Sequence, residues 1–133
     1  MNKEVEKKII TTSNCHDCDD IPKVNRAGLV ALENNVKIQY MFNGVKILFD
    51  SYHSPWMNMI INNLKGHHKP QEELCFYHLV KLLDKDANMM ELGCAWAYYS
   101  LFFKKYVPNG INICVEPNSE KMKTGIANIK LND

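Results

Sequence analysis

Between residues 88 and 131 the chain alternates short apolar runs with longer amphipathic ones, and this alternation constrains the fold more than any other feature. Residues 88–92 read as a strand, 96–106 as an apolar helix, 108–110 (PNG) as a turn, 111–115 as a second strand and 119–131 as a second helix. Strand, helix, strand, helix with continuously apolar strands predicts parallel strands covered on both faces and joined by right-handed crossovers. An α/β class follows. Sheets of this kind bind ligands beyond the carboxyl ends of their strands. Each of the two strands has an acid at or near that end, Glu91 in MMELG and Glu116 in CVEP.

Upstream, the segment 36–49 (VKIQYMFNGVKILF) reads as an antiparallel hairpin. Asn43-Gly44 tolerates positive φ at both centres of a two-residue turn. That turn would set Phe42 opposite Val45, Tyr40 opposite Ile47 and Ile38 opposite Phe49, with Val36 on the same apolar face. Lys37, Gln39, Met41, Lys46 and Leu48 would take the other. Two helices are expected next. The first has Ser54 as N-cap, Pro55 at its first position, a stripe of Met57, Ile60, Ile61 and Leu64, and Gly66 as its stop. The second starts near Pro70 with Gln71, Glu72 and Glu73 in its first turn, and should bury Cys75, Phe76, Leu79, Leu82 and Leu83. His67-His68 reads as a solvated loop between them. Residues 1–35 read as a polar lead-in to a single domain spanning 36–133.

Composition excludes several function classes. Sixteen Lys and Arg against fifteen Asp and Glu leave a net charge of +1, so no basic surface argues for nucleic acid or an anionic membrane. No run reaches the eighteen or so apolar residues that span a bilayer, and MNKEVEKKII lacks the apolar stretch of a secretory signal. Five cysteines cannot all pair, and Cys75, Cys94 and Cys114 fall inside expected helix or strand. Reduced thiols in the cytoplasm are expected. Cys15-His16-Asp17-Cys18 is half of a zinc site, but no second pair stands at a supporting distance and His53, His67 and His68 have no supporting spacing. An ordinary polar loop is expected there, and no metal is assigned.

The strand tips carry the chemistry. Gly93, Cys94 and Ala95 are small, so backbone there can approach a ligand closely. The helix that follows offers free N–H groups near Trp96 and Ala97 to a carboxylate. Glu116, 23 residues after Gly93, stands where such folds hold a ribose diol, and Glu91 can take an ammonium. Amine, carboxylate and ribose together describe S-adenosylmethionine. A dinucleotide would need more glycine, since G-x-G-x-x-G finds Ala95 and Tyr98 at its later positions. The aromatics Trp96, Tyr98, Tyr99, Phe102 and Phe103 read mostly as core.

ELGCAWAYYSLFF followed by INICVEPNSEKMKTGIANIKLN resembles the first two motifs of class I S-adenosylmethionine-dependent methyltransferases, most closely those of the FkbM family. IPKVNRAGLV, FNGVKI and SPWMNMIINNLKGHHKPQEEL are similar to the lead-in of some FkbM-like proteins, so the resemblance covers most of residues 15–132. It implies a partial Rossmann-like parallel sheet preceded by a hairpin and helices. It also implies O-methylation of a hydroxyl on a sugar, polyketide or related small molecule. Glu91, Gly93, Cys94, Ala95 and Trp96 then correspond to the cofactor loop, Glu116 to the ribose acid, and Pro117 and Asn118 to the adenosine side. The family has glycine where Ala97 stands, an exchange compatible with negative φ.

The family's sheet has seven strands, of which two parallel ones fall before Asp133. The chain is therefore expected to be the cofactor-binding front half of such an enzyme, or a shortened relative, with catalytic residues unknown and a small-molecule methyl acceptor only if the domain is complete. A non-catalytic module that self-associates over an unpaired sheet edge, giving a homo-oligomer, is the alternative. A small metal-binding protein using Cys15 and Cys18 is the third reading.

Overall fold

The computed structural model describes residues 2–52 and 55–133, so the expected N-cap at Ser54 lies outside the described residues. Along them run α1 (Lys3–Ser13), β1 (Val30–Glu33), β2 (Val36–Tyr40), β3 (Lys46–Leu48), α2 (Pro55–Asn63), α3 (Pro70–Leu82), β4 (Met89–Leu92), α4 (Tyr98–Tyr106), β5 (Asn112–Val115) and α5 (Ser119–Lys130). Together they form a mixed α/β fold with two small sheets, an antiparallel one in the order β1-β2-β3 and a parallel pair β4-β5. No helix among the described residues is long and apolar enough to cross a membrane.

The first 35 residues do more than lead in. Asn2 caps α1 by accepting from the Glu4 N–H at 2.9 Å, and Glu4 and Glu6 lie at the positive end of its dipole. Ile9 enters the core together with Cys18 and Ile21. The segment looked irregular because so few apolar residues in a polar run leave little periodic signal. Asn34 and Asn35, both with positive φ (48° and 63°), form the two-residue turn that pairs Glu33 with Val36.

The β2–β3 hairpin departs from its expected register by one residue. Ile38 pairs with Leu48, Gln39 with Ile47 and Tyr40 with Lys46. Gly44, at φ 83°, donates to the Met41 carbonyl at 3.0 Å, and the Met41 N–H donates to the Val45 carbonyl at 2.8 Å, closing a three-residue loop. One local bond and two long-range ones select this turn. Asn43 Oδ1 accepts from the Val45 N–H at 3.1 Å, while Phe42 donates to the Gly66 carbonyl and accepts from Val24. A slip of one residue exchanges the faces of a strand. Gln39, Met41, Val45 and Ile47 therefore share one face, and Ile38, Tyr40, Lys46 and Leu48 the other, with Ile38 and Tyr40 buried as well. Gln39 is stable there because its amide donates to the carbonyls of Gly28 and Asn58 at 2.9 and 3.0 Å.

Helix α2 buries Met57, Ile60 and Ile61 as its stripe predicts. It ends where Ile61 accepts from the Gly66 N–H at 2.7 Å and Asn62 from the Lys65 N–H at 3.1 Å, with Lys65 left-handed. Helix α3 is turned away from its expected face: Cys75, Leu79 and Leu82 are exposed, whereas Glu73 and Val80 are buried. The cause lies in Glu73, whose carboxylate is bonded inside the protein. The core is centred on α4, whose Tyr98, Leu101, Phe102 and Phe103 pack with Met41, Phe42, Val45 and Ile47 of the hairpin and Ile60 and Ile61 of α2.

In the parallel pair, Met89 stands opposite Asn112, Glu91 opposite Cys114 and Leu92 opposite Val115. The expectation that both faces are covered is corrected. Met90, Leu92, Ile111, Ile113 and Val115 are exposed, Leu92 at 75%, so the face remote from α4 is open among the described residues. Helix α5 instead closes the antiparallel sheet. Asn128 and Asn132, one turn apart, accept from the N–H groups of Leu48 and Lys46 at 2.8 Å each, and Asn132 returns a bond to the Lys46 carbonyl at 2.8 Å.

Candidate functional site

The parallel register brings the two strand tips together. Val115 accepts from the Gly93 and Cys94 N–H groups at 2.7 and 3.1 Å, and Cys94 from the Ala97 N–H at 2.6 Å. Gly93, Ala95 and Ala97 all have positive φ, at 76°, 44° and 61°. Nothing lies within 4 Å of where a Cβ on Gly93 would sit, which leaves space for a ligand beside its Cα, its N–H being taken by Val115. Ala97 was expected at negative φ; it is left-handed instead, because its N–H folds back onto Cys94. Left-handed alanines cost about 1–2 kcal/mol each. Such strain persists only where the surroundings hold it, and it clusters at ligand sites.

Those surroundings are specific. Glu116 Oε2 accepts from the Ala95 N–H at 3.0 Å and Oε1 from the Asn118 N–H at 2.9 Å, so one carboxylate ties the β4–α4 loop to the β5–α5 loop. Asn118 caps α5 by accepting from the Lys121 N–H at 3.0 Å. Gly125 on α5 lets the loop approach, since a Cβ there would lie 2.7 Å from the Ala95 carbonyl. Glu91 turns toward α4, where Oε2 accepts the Ser100 N–H at 2.9 Å and also the Ser100 hydroxyl. Burial raises the Glu91 carboxyl above its ordinary range, against the two Ser100 bonds that lower it. Cys114 Sγ donates to that hydroxyl at 2.9 Å.

Glu91, Gly93, Cys94, Ala95, Trp96, Glu116, Pro117 and Asn118 thus gather at one sheet edge, but with unequal access. Cys94 is buried, its thiol pushed up to about 12 by that burial, and Trp96 is 5% exposed. The N–H and carbonyl of Cys94 are both bonded internally, and the Trp96 carbonyl accepts from Asn128. Pro117 and Asn118 are exposed. Of the N–H groups expected to meet a carboxylate, that of Ala97 is bonded internally. A cleft of about 280 Å³ beside the loop is lined by Ser51, Tyr52, Ala95, Trp96, Lys121 and Thr124. Tyr52 stacks on Trp96 with ring centroids 4.3 Å apart.

His67 and His68, expected in solvent, are buried around Glu73. Glu73 Oε2 lies 2.6 Å from His67 Nδ1, Oε1 contacts His68 Nδ1, and Oε1 also accepts the N–H groups of His68 and Lys69 at 2.9 and 3.2 Å. Burial alone would raise the Glu73 carboxyl, but the His68 charge and the imidazole bonds outweigh it and hold it down at about 2. The available signal was the reach of a first-turn acid back to the N–H groups before its helix.

Near the N-terminus, Cys18 Sγ donates to the Pro70 carbonyl at 3.0 Å, and Gln71 Nε2 donates to Cys15 Sγ and Asp17 Oδ2 at 3.0 and 2.8 Å. No group of three or more His, Cys, Asp or Glu positioned to hold a metal occurs among the described residues. Comparison with protein-family models, curated proteins and solved structures gives no match.

Proposed function

We propose that this chain is the cofactor-binding front half of an S-adenosylmethionine-dependent methyltransferase of FkbM type, with β4-α4-β5-α5 as the first half of a Rossmann-like sheet. The observation that carries this reading is the left-handed loop from Gly93 to Ala97 at the carboxyl edge of β4, tied by Glu116 from the neighbouring strand tip. A carboxylate oxygen has two lone pairs. Glu116 therefore keeps accepting capacity for a ribose diol while it holds the Ala95 and Asn118 N–H groups. Gly93 leaves space at its Cα for the methionine end, and Glu91 is the acid for its ammonium. The bound cofactor supplies an electrophilic methyl on a sulfonium, and the acceptor would be a hydroxyl of a sugar or another small molecule. Five free thiols support a reducing compartment, and we place the protein in the cytoplasm.

The open face of β4-β5 favours a second reading, a non-catalytic module that self-associates. Isothermal titration of the chain with S-adenosylmethionine, alongside Glu116→Ala, separates the two. Saturable binding that the substitution weakens by about 1–3 kcal/mol, the cost of losing a buried hydrogen-bonding partner, supports the cofactor site. Absence of binding at millimolar ligand, with association that grows with protein concentration, supports the module.

A further inference from the structure

The buried cluster around Glu73 lies apart from the strand-tip loop yet touches it. The groups that face its carboxylate come from three parts of the chain. His67 and His68 come from the segment before α3, Tyr98 and Tyr99 from α4, and Cys18 from the loop after α1, while Tyr52 packs against the His68 ring. Lys69 adds only its N–H, because its ammonium is held by Glu72 at 3.1 and 3.2 Å. Glu73 has no exposed surface. A carboxylate withdrawn from water is tolerated when it is paired with charge and hydrogen bonds. The two imidazoles are the cations this cluster can supply.

His68 has a second neighbourhood. Trp96 and Tyr98 meet it nearly edge-on, with ring centroids at 5.0 and 5.2 Å, and Tyr52 at 5.4 Å. Trp96 belongs to the left-handed loop and carries the Tyr52 stack that walls the adjoining cleft. One imidazole therefore bridges the buried carboxylate to the candidate cofactor loop. Removing its proton withdraws one of the two imidazole charges that face the buried carboxylate and leaves His67 as the remaining one. The cluster can relieve this by admitting water or by shifting the segment 67–69, and either moves the surface on which Trp96 rests.

We infer that His68 is a positioning residue whose proton, shared with Glu73, seats Trp96 and with it the Gly93–Ala97 loop, so that ligand binding at the loop is linked to proton uptake. Where it concerns cofactor affinity the inference rests on the function proposed above; where it concerns Trp96 it does not. The test begins with Trp56→Phe, which leaves Trp96 as the single tryptophan of the two in the chain. Its emission is followed from about pH 5 to pH 8, the range in which imidazoles exchange their proton, with far-UV circular dichroism held as a check on folding. The expected result is emission that rises as His68 loses its proton, a dependence abolished by His68→Gln and retained in His16→Gln and His78→Gln. Flat emission, or a dependence that survives His68→Gln, overturns the inference. If His68→Gln does not fold, imidazole NMR of the unaltered chain takes its place: the His68 ring must titrate together with the Trp96 indole N–H, and a static His68 overturns the idea. Titration with S-adenosylmethionine at both ends of the range completes the test. Affinity at least threefold tighter at the lower pH, and independent of pH in His68→Gln, supports the linkage; equal affinity at both ends overturns it. A titrating Trp96 with no cofactor binding at either pH supports the positioning role and sinks the cofactor reading.

Discussion

Glu73 and Glu116 are both acids beside a helix start, yet the first is enclosed and the second lies at a sheet edge. The difference sets what each can do. Glu73 has a carboxyl depressed from the ordinary 4.5 to about 2. A depressed acid contributes stability that is fully present above the ordinary value and is lost as pH falls toward the folded one. Urea unfolding should therefore show stability decreasing as pH falls from about 4.5 toward 2, with this component absent in Glu73→Ala. At pH 7 that substitution should cost about 3–5 kcal/mol, because it leaves two buried imidazoles without their carboxylate. A variant within 1 kcal/mol of the parent would show that the cluster is not held by charge. Glu116 was legible because a parallel strand of known direction fixes where its tip lies. Glu73 was not, because a first-turn acid already has a sufficient local explanation in the helix dipole.

At the scale of elements, the closest fit of local signal to structure comes at helices whose ends are chemically marked. Helix α3 starts at Pro70 and α5 at Ser119, as the sequence reads. Faces and registers are less local. Helix α3 rotates to bury Glu73 rather than Leu79 and Leu82, and the hairpin slips by one residue because the backbone of Phe42 bonds to Val24 and Gly66. The docking of α5 on β3 is a further case, with amide side chains doing for the strand what another strand would do. Asn128 is fully buried, accepts from Leu48 and donates to the Trp96 carbonyl at 2.9 Å. Asn128→Ala strands both partners, and thermal or urea unfolding should register a loss of about 1–3 kcal/mol. A loss under 0.5 kcal/mol would mean that water replaces the amide and that the α5 contact rests on apolar packing alone.

Over the whole molecule, the apolar surface is distributed unevenly. The hairpin, α2 and α4 enclose one core, while β4 and β5 leave Met90, Leu92, Ile113 and Val115 in the open. A contiguous exposed apolar face is a site for association or for further structure. The chain should accordingly bind a hydrophobic dye in its native state, and Leu92→Ser combined with Ile113→Thr should lower that binding while moving stability by no more than about 0.5 kcal/mol. Dye binding unchanged by the pair would assign it to another surface. The order of helices and strands after residue 54, the parallel direction of β4 and β5 and the meeting of Glu91, Gly93 and Glu116 at one edge follow from the sequence alone. They depend on periodicity and chain direction, which neighbouring residues encode. The turn that joins β2 to β3, the buried side of α3, the bridge from Glu73 through His68 to Trp96 and the open face of the sheet were decided only by the tertiary structure. The turn and the bridge each depend on a partner far along the chain, Gly66 for Phe42 and Trp96 for His68, while the side of α3 depends on burial of the Glu73 cluster, and these outweigh the local preference.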